Sequence, residues 1–387
     1  MIRIIWIIVL FISVWGVVDA DVSTDSMILA GHTDTVLGAI ELSDGRILSW
    51  SDDKTLRLWG ADGDFITALE GHTDWVWGAL ELANGHLLSW SSDGTLRLWD
   101  SEGTLLQILD DHTNQVVGAF EHTNGQIVSW SNDNTIRLWD AEGNLIITIP
   151  TDYAPNDVME LQTGAIFAWG TDDHLSIWDT DGLLIASITH EWIWGARELA
   201  DGRLLSWGGD NLLRMWDTNG ELLAIFEGHT DGVQGAIQLQ GGYILSRSWD
   251  LTMRVWNLDG NSLAVLEGHP DEIRDMIQLA DGRILSLSLD GTLRLWDVDG
   301  LNLAILRGHQ DGVVGAIELS DGRILSWARD MTLMVWDDEG HLLHTLEGHT
   351  ATIVDTLHLS DGRIVSWTVN AFALAEDFTL RIWDLGE

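Results

Sequence analysis

The sequence repeats itself nine times. A tryptophan closes each copy, at Trp59, Trp99, Trp139, Trp178, Trp216, Trp256, Trp296, Trp336 and Trp383. Seven of the eight intervals are 38 to 40 residues; the last is 47, through an insertion near 369–376. Gly-His pairs hold the same phase at 31–32, 71–72, 228–229, 268–269, 308–309 and 348–349, with Asp111-His112 as a near copy. A unit this short is one supersecondary element that cannot bury its apolar faces alone. Its copies must stack on each other.

The second copy shows the local pattern. Residues 76–82, VWGALEL, alternate as a strand does. Asn84-Gly85 reads as a two-residue hairpin turn, with both central residues at positive φ. LLSWS at 87–91 is a second strand, and Ser92-Asp93-Gly94 turns again. TLRLW at 95–99 is a third, with Leu inward and Thr and Arg outward. After Glu102-Gly103, LLQIL at 105–109 is a fourth. Nothing carries helical periodicity with caps, so the fold class is all-β. Small four-stranded sheets bury both faces by packing around an axis, which gives a propeller with the nine Trp as wedges between blades. Met27-Ile28-Leu29-Ala30 looks like the tail of a fourth strand, while the chain stops just after a third strand at Trp383. The two ends therefore complete one blade. The expectation is a single closed β-propeller of nine antiparallel blades over 24–387, its N-terminal strand finishing the last blade.

Gly-His, then about 27 residues, then Trp-Asp closing a third strand resembles the WD-repeat (WD40) propeller family. An Asp stands six residues before every closing Trp, from Asp53 and Asp93 to Asp377. The resemblance implies a hydrogen-bonded tetrad of His, Ser, turn Asp and Trp in each blade: His72, Ser89, Asp93 and Trp99 in the second, His309, Ser326, Asp330 and Trp336 in the eighth. The fourth copy departs, with Thr151 for His and Ala168 for Ser, and the fifth displaces its His to His190. These two blades should be the least regular. Trp recurs in second strands (Trp50, Trp90, Trp130, Trp169, Trp207, Trp327, Trp367), and Glu in first strands (Glu41, Glu81, Glu121, Glu160, Glu198, Glu318). Charges packed between blades need partners. The Glu set should pair with backbone or with the third-strand arginines Arg57, Arg97, Arg137, Arg214, Arg254, Arg294 and Arg381.

Composition removes several functions. There is no Cys in 387 residues, hence no disulfide and no thiolate metal site. The formal charge is −42, with Lys54 the only lysine, so phosphate polymers and anionic lipid are disfavoured partners. Residues 1–20 place Arg3 before an apolar run to Val18 and end at Val18-Asp19-Ala20, the pattern of a cleaved secretory signal. The chain is thus expected to be secreted or periplasmic, or membrane-anchored if the segment is retained.

Most chemistry-bearing residues follow the repeat, which marks them as structural. The His set lies one per blade, too dispersed for a metal site, and His190-Glu191-Trp192-Ile193-Trp194 lacks the second His of a zinc helix. Asp-rich turns such as 178–182 and 336–340 read as turn chemistry rather than calcium loops. No nucleophile elbow or phosphate-binding loop is present, and no cofactor is expected. Function should lie in what does not repeat, on the face built from fourth-to-first and second-to-third-strand loops, where partners of the family commonly dock. Those positions hold Trp75, Trp77, Trp192, Trp194, Trp249, Arg274 and Arg329, with Phe372 and Leu374 in the insertion. Trp and Arg are enriched at binding hot spots. The reading is a monomeric, non-catalytic scaffold for a protein partner. Because exposed Trp also stacks on sugar rings, a carbohydrate-binding propeller is the alternative, and a propeller enzyme a weaker third.

Overall fold

A computed structural model describes residues 26–170, 173–369 and 377–386. The expected leader, Phe372, Leu374 and the turn residue Asp172 lie outside the described residues.

Among the described residues every regular element is a strand, and these form nine four-stranded antiparallel sheets. Blades 1 to 9 are numbered by their innermost strands, which begin at Val36, Val76, Val116, Pro155, Ile193, Val233, Ile273, Val313 and Thr352. In blades 1 to 8 the strand order follows the chain. In blade 9, Met27–Leu29 pairs with Leu380–Trp383, with Met27 opposite Ile382 and Leu29 opposite Leu380. The first and last segments thus share a sheet, as their sequences implied.

Nine apolar clusters hold the ring, and each joins two neighbouring blades. Trp99 of blade 2 packs among Leu42, Leu48, Leu56, Leu58 and Leu69 of blade 1. Trp59 of blade 1 packs among Leu359, Val365, Trp367, Leu380 and Ile382 of blade 9, so the same wedge crosses the chain ends. A fully buried Trp removes about 200 Å² from water, a gross gain of about 5 kcal/mol at ~25 cal/mol per Å² before entropy is counted.

Two local expectations are corrected. Arg97 does not point outward; it is 8 % exposed and lies beneath Gly71, where a Cβ would come within 2.5 Å of its Nη1. Both faces of a blade are covered, so strand alternation separates two packed sides rather than inside from water. The 82–86 turn is also wider than two residues. Leu82 N–H donates to His86 O and Gly85 N–H to Leu82 O, with Gly85 at φ +82° and Asn84 at negative φ. This is a three-residue loop with one glycine in the left-handed region.

The first-strand carboxylates clasp the ring. Glu81 of blade 2 accepts Ser43 N–H and Ser43 Oγ–H of blade 1 at 2.6 and 2.8 Å. Glu121, Glu160, Glu198 and Glu318 take the equivalent turn N–H of the blade before, from Ala83, Thr123, Gln162 and Ala280. Glu41 closes the circle on Ser360, N–H and Oγ–H, at 2.7 and 2.8 Å. Their partner is neighbouring backbone, not the third-strand arginines.

Among the described residues, the outermost strand of each blade has one ladder edge without a strand partner, and its apolar side chains are exposed, among them Phe65, Ile66, Leu105, Leu106, Leu184 and Ile185.

Candidate functional site

The loop face is built on the tetrads. In blade 2, Trp99 Nε1–H donates to Ser89 Oγ at 3.0 Å. His72 Nε2 lies 2.8 Å from Ser89 Oγ, and His72 Nδ1 lies 3.0 Å from Asp93 Oδ2. An indole can only donate, so the Ser hydroxyl hydrogen goes to His Nε2, and the proton on Nδ1 goes to Asp93. Asp93 also accepts Thr73 N–H, Thr95 N–H and the Thr95 hydroxyl. Burial alone would raise the Asp93 carboxyl, but these bonds hold it well below the usual carboxylate range. Burial lowers His72, and the Asp93 hydrogen bond and charge do not fully offset it, which favours the neutral ring. In blade 8, His309, Ser326, Asp330 and Trp336 are joined alike. His32, His112, His229, His269 and His349 anchor the same arrangement in blades 1, 3, 6, 7 and 9.

Blades 4 and 5 are the irregular ones. In blade 5 the ring is turned over: His190 Nδ1 meets Ser206 Oγ at 2.8 Å, and Nε2 is 3.6 Å from Asp210. In blade 4, Tyr153 is buried in this region, and its hydroxyl donates to Ala168 O at 3.3 Å. Tyr153, Thr151 and Trp178 line a cavity of about 100 Å³ in this blade.

The non-repeating residues fall into two groups. Trp75 and Trp77 of blade 2 meet edge to face at 5.9 Å, with Trp77 Nε1–H on Ser92 Oγ at 2.7 Å. Three blades on, Trp194 and Trp249 approach to 4.5 Å across blades 5 and 6. Trp194 can lie there because Gly232 and Gly209 have no Cβ; one would stand 2.4 and 2.8 Å from its ring. Trp192 flanks Gly209 and is 65 % exposed, while Trp249 is 49 % exposed. The two groups do not join. Arg274 and Arg329 are exposed, with Arg274 paired to Glu272 at 3.2 Å.

A concavity of 510 Å³ opens on the inner wall of blades 4 to 7, lined by Asp157, Trp194, Arg197, Gln234, Arg247 and Asp275 among others. Sequence reasoning missed Arg197, Arg247, Asp157 and Asp275. The signal was there: Arg247 stands where seven copies have Trp, and Arg197 where the other first strands have an apolar residue. The Asp-rich turns are hydrogen-bonded as turns, with Asp179 Oδ1 accepting Asp181 N–H and Leu183 N–H. Asp337, Glu339 and His341 bring their polar atoms within 4.8 Å on an exposed turn, where Asp337 accepts the backbone N–H of both neighbours.

Nine four-stranded blades closed into a ring, with a His–Ser–Trp–Asp chain under the loops, define a β-propeller held by repeated polar tetrads. The WD domain, G-beta repeat (WD40) model matches residues 63–100, 103–140, 220–257, 260–297 and 340–384, about half of the chain. The chain belongs to the WD40 repeat family, whose propellers generally serve as protein-interaction scaffolds. Among solved structures it is similar in fold to the computationally designed Ika8 protein, at TM-score 0.61 and 23% identity over 92% of this chain and 98% of the other. The WD40 beta propeller domain of Doa1 aligns at TM-score 0.48 and 20% identity, over 92% of this chain and 95% of that one. No curated protein matches.

Proposed function

We propose that this propeller is an exported, non-catalytic scaffold that binds a protein partner through its loop face. Trp192, Trp194 and Trp249 form the anchor, and Trp75 with Trp77 a second contact. The observation that carries the reading is the aromatic cluster across blades 5 and 6, exposed although the scaffold buries its closing Trp residues almost completely. Rigid aromatic side chains bury large area at small entropic cost, which suits them to be hot spots. Arg274 and Arg329 stand on the same face, in blades 7 and 8.

Export is supported by the signal-like segment 1–20. Secretion in a heterologous host followed by N-terminal sequencing should return a chain beginning near Asp21; an intact Met1 would refute cleavage. For docking, partners captured from the native extract are purified and titrated against wild type and the Trp192→Ala/Trp194→Ala/Trp249→Ala variant. Loss of binding is expected. Unchanged affinity would remove this face from consideration.

A further inference from the structure

The repeat breaks at the inner wall of blades 4 to 7 in an ordered way. Six blades place glycine on the first strand opposite the second-strand position that most fill with Trp, as Gly38 opposite Trp50. The other three carry Asp: Asp157 opposite Trp169 in blade 4, Asp275 opposite Leu287 in blade 7 and Asp355 opposite Trp367 in blade 9, and the first two line one concavity. Between them, blade 5 contributes Arg197, and blade 6 contributes Arg247 opposite Gly235. Carboxylate, guanidinium, guanidinium and carboxylate therefore follow one another along four blades around one concavity of 510 Å³. Their charges cancel within a chain of net charge −42.

The groups are held in place. Arg197 Nη1–H donates to Ala236 O at 2.9 Å, and Arg247 Nη1–H to Ile273 O at 2.9 Å and Gln234 Oε1 at 3.3 Å. Gln234 Nε2–H is tied to Glu272 Oε1 at 3.0 Å. Asp157 and Asp275 each use Oδ1 to accept the next backbone N–H, from Val158 and Met276. Each keeps Oδ2 as an acceptor without a partner among the described residues. Asn156 and the Trp194 indole complete the polar and apolar sides.

We propose that this concavity binds a neutral saccharide ring. Planar side chains with paired donors or acceptors match adjacent hydroxyls, and an indole offers a flat surface to the C–H face of a sugar. Its volume falls within the range of small-ligand sites, roughly 300 to 1,000 Å³. An acidic ligand meets two carboxylates and the field of the whole chain; a cationic one meets two guanidinium groups. A neutral polyol meets neither penalty. The site lies below the exposed Trp cluster and shares only Trp194 with it, so it does not depend on the docking proposal.

The test uses variants that restore the repeat. Arg247→Trp installs the side chain that Gly38, Gly78 and Gly118 already accommodate at the matching place in their blades. Arg197→Leu installs the residue of blade 2, Leu80. The full chain is titrated calorimetrically with glucose, galactose, mannose, fucose, N-acetylglucosamine, lactose and maltose, and with glucuronic acid and glucosamine as charged counterparts. At least one neutral sugar should bind, and at least tenfold more weakly to each variant, with melting temperature and protein-partner capture unchanged. Absence of neutral-sugar binding, equal binding by both variants, or preference for a charged counterpart would overturn the proposal. Should Arg247→Trp fail to fold, the Arg197→Leu titration decides alone.

Discussion

Replacing Ser89 with alanine removes one oxygen and strands two groups. Ser89 Oγ accepts Trp99 Nε1–H at 3.0 Å and donates to His72 Nε2 at 2.8 Å, and neither ring has water to turn to, since Trp99 is 1 % exposed and the His72 side chain 0 %. A buried polar group left without its partner costs about 1 to 3 kcal/mol. Two groups sharing one small relaxation should cost about 2 to 4 kcal/mol together. In a ring of this size each kcal/mol lowers the melting temperature by roughly 2 °C, so Ser89→Ala should melt about 4 to 8 °C lower. Circular dichroism thermal scans at matched rates measure it, with exposed Ser101→Ala as a control that should not move. Adding Trp99→Phe to Ser89→Ala removes one stranded donor and should add less than the sum of the single changes. Blade 4 lacks both Ser and His at these positions, and a cavity of about 100 Å³ lies beside its closing Trp178. A shift below 1 °C for Ser89→Ala would refute the claim that the tetrad stabilises its blade.

Other outcomes follow from the same contacts. Glu41→Ala breaks the only first-strand clasp that spans the chain ends and should speed hydrogen exchange in 27–29 and 380–383, whereas Glu81→Ala should leave those strands protected. Asp52 is raised to about 6 by burial and then by the charges of Asp34, Asp53 and Asp74. A carboxyl raised on folding destabilises above its folded value, so Asp52→Asn should stabilise by about 1 kcal/mol at pH 8 after allowance for solvent screening, and the gain should shrink as pH falls from 6 to 4. Nitrogen-correlated NMR of the imidazoles should find that His72 titrates below a free imidazole, because burial lowers it, and His341 above one, because its hydrogen bond to Asp337 raises it. A His72 midpoint at or above 6.5 would contradict the proton order assigned to the tetrad.

What recurs in this chain was legible, and what crosses between blades was not. The spacing of nine Trp and the split pattern of Met27–Leu29 and Trp383 sufficed for the ring and its closure, because each copy repeats one hydrogen-bonding problem. The His72, Ser89, Asp93 and Trp99 set follows from the resemblance, and hydrogen bonds join the four side chains. Arg97 was misjudged because alternation alone cannot tell a solvated face from one covered by the next blade. The Glu81 partner was hidden for a related reason: it is a backbone N–H of the preceding unit, and backbone donors leave no trace in residue types. Arg247 and Arg197 are visible as substitutions within the pattern, but they stand on strands, where a repeat's variation ordinarily reflects packing rather than binding. Trp75 and Trp194 stand in the second and fifth copies, and the repeat itself places them in separate sectors; the contact of Trp194 with Trp249 of the next blade is visible only in three dimensions.

The open outer ladders carry a consequence for how the molecule keeps company with itself. Among the described residues each spoke ends in a strand with apolar side chains exposed, whose edge could zip onto the spoke of another ring. Acidic turns stand beside these edges, Asp62, Glu102, Asp299 and Glu339 among them, and like charge forbids the approach. The chain's heavy negative charge then acts as a spacer between discs, and neutralising it toward the isoelectric point of 4.3 should let rims meet side by side in flat arrays.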